Sequence, residues 1–168
     1  MKGDGPRPGN RYIGSFYEMT YQEFLQSKVE LAPSSGFEVA AGEINPALKP
    51  HQKDAVRWAL RGGRRALFES FGLGKTVQEI EFCHQAARHE GGQALIVLPL
   101  GVKQEFTRDA VQILGYEKPR YVKNMEEVRA AGEEILITNY ERVRDGDIDP
   151  TYFSATSLDE ASVLRSFG

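Results

Sequence analysis

Gly72-Leu73-Gly74 run directly into Lys75-Thr76, and far downstream Asp159 and Glu160 stand side by side. Glycines let successive backbone N–H groups close on phosphate oxygens, and a helix opening just after them adds positive potential. Lys75 is then placed to reach terminal phosphates, and the Thr76 hydroxyl is a ligand suited to Mg²⁺. The strict phosphate-loop pattern wants a further glycine five positions before Gly74, where this chain has Glu69. A bare Gly-x-Gly is only a flexible turn. A dinucleotide fingerprint is excluded, because its third glycine would fall at Val77. An Asp-Glu pair at a strand end supplies the other half of such a site. Asp159 would hold the Mg²⁺ that bridges the phosphates, and Glu160 would orient and deprotonate an attacking water. The plain alternative for this pair is two surface carboxylates.

These groups need elements to hold them. Ala66-Leu67-Phe68 is a short apolar run suited to a strand before the loop, and Val77, Ile80, Cys83 and Ala87 recur at helical spacing until Gly91-Gly92. The continuous apolar runs 94–98 and 135–138 predict strands buried on both faces. A helix is expected over 103–114, a weak strand at Tyr121-Val122 and a short helix over 125–131. The run 153–158, polar for a strand, leads into Asp159. This alternation predicts an α/β fold: a parallel sheet with helices on both faces, carrying ligands at the carboxyl ends of its strands.

Upstream, residues 1–18 read as a disordered leader that lacks the apolar core of a signal peptide. Met19 offers an alternative start. Thr20 and Glu23 form a capping box for a helix to about Leu31, within a helix-and-linker segment 19–47. Pro50 suits the first turn of a helix ending at Gly62-Gly63. Along that helix and just beyond it Lys49, Lys53, Arg57, Arg61 and Arg65 fall every fourth residue, a stripe that is either a solvated face or a contact for nucleic-acid phosphates.

The chain has 168 residues, 40% hydrophobic and 27% charged, with a net charge of −3. That describes one ordinary globular domain and argues against a uniformly basic nucleic-acid binder. One cysteine, Cys83, precludes an internal disulfide and suits a reducing compartment, with the thiol a small core group. His51, His84 and His89 lack partners at metal-ligand spacing, and the latter two are expected on a helix surface. Asp145, Asp147 and Asp149 alternate as in a calcium loop but lack the closing glutamate, so a solvated turn is expected.

Several segments in register resemble the first RecA-like lobe of superfamily 2 helicases and translocases, nearest the Swi/Snf-type DNA translocases and their phage and prophage relatives. Leu48-Lys49-Pro50-His51-Gln52 is similar to a segment whose glutamine recognises adenine, and Phe71 to Gln78 to the family's phosphate loop. The family also carries an acidic residue where Glu69 stands. Leu98 to Phe106 resembles a segment whose loop approaches the DNA backbone, Ile135 to Glu141 a strand ending in Thr-Tyr-Glu, and Leu158 to Ser162 the Asp-Glu-Ala-His box with serine for histidine. Ser154-Ala155-Thr156 spells a later motif but precedes the Asp-Glu pair, a coincidence.

The resemblance covers about residues 48–162. It implies a partial P-loop NTPase domain over 48–168, with a strand absent between the phosphate loop and Asp159. It further implies ATP and Mg²⁺ as cofactors, and a site of Gln52, Gly72, Leu73, Gly74, Lys75, Thr76, Asp159 and Glu160. Lys75 and Glu160 would be catalytic, and Thr76 and Asp159 would hold the metal. Expected partners are duplex DNA and a second RecA-like lobe, in the cytoplasm of a bacterial or phage-infected cell and without membrane contact. The expected activity is DNA-stimulated ATP hydrolysis, weak in this chain alone. The alternatives are a nucleotide-binding or interaction module without turnover and, more weakly, an ATPase acting on RNA.

Overall fold

A computed structural model describes residues 34–70 and 72–161. The leader, the capped helix expected near Thr20, Phe71 and Ser162 lie outside the described residues. Among the described residues five α-helices and four strands follow in order, with short 3-10 turns at Leu100–Val102 and Pro150–Tyr152: α1 (Pro50–Gly62), α2 (Lys75–Glu90), β1 (Ala94–Val97), α3 (Lys103–Gln112), β2 (Arg120–Tyr121), α4 (Met125–Ala130), β3 (Ile135–Thr138), α5 (Tyr140–Arg144) and β4 (Ala155–Leu158).

The strands form one all-parallel sheet in the order β2-β3-β1-β4. β1 is central, with Ala94 opposite both Ile135 and Ala155. Alternating side chains of the apolar strands supply two separate cores, as period-two geometry requires. Ala94, Ile96, Ile135 and Ile137 pack with Val56 and Leu60 of α1, Ile80 and Cys83 of α2, and Phe106 of α3. Leu95, Val97 and Leu136 pack on the opposite side with Val128 of α4 and Tyr140 of α5. Helices therefore cover both faces, as the uninterrupted apolar runs require. Thr138, the polar member of β3, is fully buried because its hydroxyl donates to the Val122 carbonyl at 2.9 Å.

The expected strand at Ala66–Phe68 does not form. A strand exists by pairing, and among the described residues β4 pairs only with β1, so no ladder receives this segment. Phe68 is 96% exposed in consequence. The segment before α1 is more than a tether: Val39, Ile44 and Leu48 join the core, and the Phe37 N–H donates to the Leu60 carbonyl at 3.1 Å.

Candidate functional site

The loop Gly72–Gly74 and the start of α2 are held from below. Gly74 caps α2 in the left-handed region at φ 76°, where a Cβ would also lie 2.4 Å from Gln52 Nε2. Glycine is thus required by conformation, and a Cβ would also push the Gln52 side chain off its contact with the loop. Gln52, 6% exposed in the first turn of α1, donates from Nε2 to the Leu73 carbonyl at 2.8 Å, while its Oε1 accepts from the Lys49 N–H at 2.8 Å. The residue expected at adenine thus also braces α1 against the loop.

Glu69 is a second brace. Its carboxylate accepts from Gln78 Nε2 at 2.8 Å, and the same amide lies 3.3 Å from the Leu73 carbonyl and 3.4 Å from that of Gly74. Gln78 is buried, and its Oε1 makes no hydrogen bond. The acidic residue where the strict pattern has glycine thus ties the loop's first residues to α2. Lys75 Nζ reaches back to the Glu69 carbonyl at 3.4 Å, a long contact that an incoming anion can replace. Thr76 Oγ1 lies 3.5 Å from Glu105 Oε1 of α3.

Asp159 comes to the same place along the sheet. Its N–H donates to the Val97 carbonyl at 2.9 Å, extending the β1–β4 ladder to the carboxyl ends of both strands. Its own carbonyl accepts from the Tyr140 hydroxyl. Burial, and next the Glu160 charge, push the Asp159 carboxyl above the usual range; Lys75 opposes this and Glu105 adds to it. A carboxylate so placed gains from a nearby cation. Glu160 is exposed at φ 50°, the one non-glycine residue at positive φ among the described residues. That departure from the extended strand turns the chain just where the acidic pair sits.

Lys75, Thr76, Asp159 and Glu160 are thus brought to one region at the carboxyl end of the sheet, with the glycines beside them. Three contributors were not evident from sequence: Glu105, Tyr140 and Glu79. Glu79 of α2 has an enclosed Oε1 although the residue as a whole is partly exposed. Burial raises its carboxyl to about 8, with a hydrogen bond from Ser157 opposing and the Asp159 charge adding. Among the described residues no group of three or more His, Cys, Asp or Glu is arranged to hold a metal ion. The oxygen donors available, the Thr76 hydroxyl and the Asp159 carboxylate, nonetheless fit a hard cation whose remaining ligands come from phosphates and water.

Elsewhere, His89 is exposed on its helix as expected, whereas His84 is half-buried. His84 stacks on Tyr116 at 4.0 Å and pairs with Glu134 at 2.6 Å, while His89 stacks on Phe37 at 3.7 Å. Cys83 is buried as expected. The aspartate-rich turn is used locally: Asp147 pairs with Arg142, Asp145 with Arg144, and Asp149 accepts from the Thr151 N–H. The basic stripe is partly engaged, with Arg57 donating to the Val39 carbonyl and Arg65 lying 5.5 Å from the Trp58 ring. Among the described residues no helix is long and apolar enough to cross a membrane. Comparison with protein-family models and with curated proteins gives no match to this chain.

Proposed function

We propose that this chain binds Mg-ATP through the loop 72–76 and Asp159, as the ATP-binding lobe of a DNA helicase or translocase. The observation that carries the nucleotide reading is the glycine-capped N-terminus of α2 bearing Lys75 and Thr76, with Asp159 held at the carboxyl end of β4 among the groups that feel the Lys75 charge. In this reading the backbone of Gly72, Leu73 and Gly74 receives the phosphates, and Lys75 exchanges its long contact with the Glu69 carbonyl for a terminal phosphate oxygen. Thr76 and Asp159 would hold Mg²⁺, which neutralises charge on the phosphates when bound. Glu160 orients the attacking water and takes its proton. Gln52 acts from beneath the loop, holding Leu73 in place.

The helicase or translocase assignment rests on the sequence resemblance across residues 48–162. Its test is ATP turnover with and without duplex DNA, for this chain alone and joined to a second lobe. DNA-stimulated turnover in the joined protein supports it, and unstimulated turnover rejects it. A binding module without turnover is favoured by one observation: residues 66–68 lie outside the sheet, so the segment leading into the loop lacks the support of a ladder. Tight ATP binding with no hydrolysis in the joined protein would favour that reading.

A further inference from the structure

A cavity of about 630 Å³ lies between α3 and β2, at the edge of the sheet away from β4. Three interstrand steps separate β2 from β4, roughly 14 Å across the sheet, and neither Asp159 nor any residue of the loop 72–76 lines the cavity. Its walls carry Lys103, Arg108, Lys118 and Arg120 against Glu133, with Asp109 offsetting Arg108 from behind. Such an excess of positive charge is notable in a chain of net charge −3. The Arg120–Glu133 contact is long at 3.5 Å, and Lys103 Nζ rests over the Tyr121 ring, 4.7 Å from its centroid. A π face is a weaker partner for an ammonium than an anion is, which leaves Lys103 ready to exchange it. Arg108 is anchored by buried Asp109 at 2.8 Å, which fixes one guanidinium at the rim. The α3 residues that line the cavity include Gln104 and Thr107, which add an amide and a hydroxyl to the same wall.

We propose that this groove binds a small phosphate-bearing ligand of nucleotide size, independently of the phosphate loop. The volume falls within the range of small-molecule sites, and converging ammonium and guanidinium groups suit phosphate oxygens. Lys103 and Lys118 approach the anion as mobile point charges, and the Arg120 guanidinium exchanges its long carboxylate contact for a phosphate oxygen.

The test measures pyrophosphate binding by calorimetry in the Lys75→Ala protein, which removes the loop lysine and isolates the second site. Binding should persist there, and should weaken at least about tenfold on adding Lys118→Ala, more with Lys103→Gln as well. Adenosine monophosphate and inorganic phosphate, used as further probes, tell a nucleotide source from a free phosphate, since both carry the same phosphoryl group. Lys118 is exposed, so its replacement tests the site without disturbing the core. Loss of all pyrophosphate binding in Lys75→Ala, binding unchanged by Lys118→Ala, or binding of duplex DNA without pyrophosphate would each overturn the proposal. Because Lys118 lines only this groove and the loop is already weakened by Lys75→Ala, failure here is separate from failure of the ATP reading.

Discussion

Gln52 Nε2 donates to the Leu73 carbonyl at 2.8 Å, so a buried glutamine in the first turn of α1 holds the middle residue of the loop Gly72–Gly74. Replacing it with alanine removes that bond and leaves the Lys49 N–H without its side-chain acceptor. Gln52→Ala should therefore lower stability by about 1–3 kcal/mol and weaken nucleotide binding together. Urea unfolding and titration with a fluorescent ATP analogue measure the two. A purely adenine-reading glutamine would show the second effect without the first.

Glu69 stands where the strict loop pattern has glycine, and Gln78 is its partner at 2.8 Å. Glu69→Gly would restore the formal motif while removing an acceptor for a buried amide and adding backbone freedom. It should destabilise the chain by about 1–3 kcal/mol, read as a lower urea midpoint. A stabilised variant would show that the Glu69–Gln78 brace has no weight.

Glu81 is fully buried, and its carboxylate accepts from the Asn45 N–H, Gln85 Nε2 and the Tyr116 hydroxyl. These bonds join α2 to the segments before α1 and after α3. Glu81→Ala leaves the half-buried Asn45 N–H and Tyr116 hydroxyl without this acceptor, while Gln85 Nε2 keeps the Glu43 carbonyl, and should cost about 3 kcal/mol. Glu81→Gln keeps the shape and an acceptor and should cost less. Equal thermal midpoints for the two variants would refute this ordering.

Glu79 gives stability a pH dependence of definite sign. Its folded carboxyl, raised from 4.5 to about 8, keeps its proton where the unfolded chain has lost it. Between those values the native state binds more protons, so this group's contribution falls as pH rises from about 4.5 to about 8. Urea unfolding of wild type and Glu79→Gln across this window should show the variant gaining relative stability toward pH 8. A constant difference across the window would contradict the raised carboxyl.

Much of the fold was legible because its determinants are local. Ala94–Val97 and Ile135–Thr138 are continuous apolar runs, and only a sheet covered on both faces uses such runs. Gly74 and Lys75 mark a loop and a helix start by residue type alone. Ala66–Phe68 has the same apolar character yet forms no strand, since pairing depends on which neighbours the sheet supplies. Glu105 and Tyr140 were hidden for a related reason: Tyr140 sits just beyond the carboxyl end of β3 and Glu105 in the first turn of α3, and only the order β3-β1-β4 brings them to Asp159 and Thr76. The part played by Gln52 depends on α1 packing beneath the loop, which no spacing within its own helix reveals.

The central claim, that Lys75 and Asp159 frame a Mg-ATP site, is tested most directly by equilibrium binding of a fluorescent ATP analogue with Mg²⁺ to wild type, Lys75→Ala and Glu160→Gln. Wild type and Glu160→Gln should bind alike, while Lys75→Ala should lose affinity by at least about tenfold, the loss of one charge-assisted phosphate contact. Binding to Lys75→Ala as tight as to wild type would contradict the account.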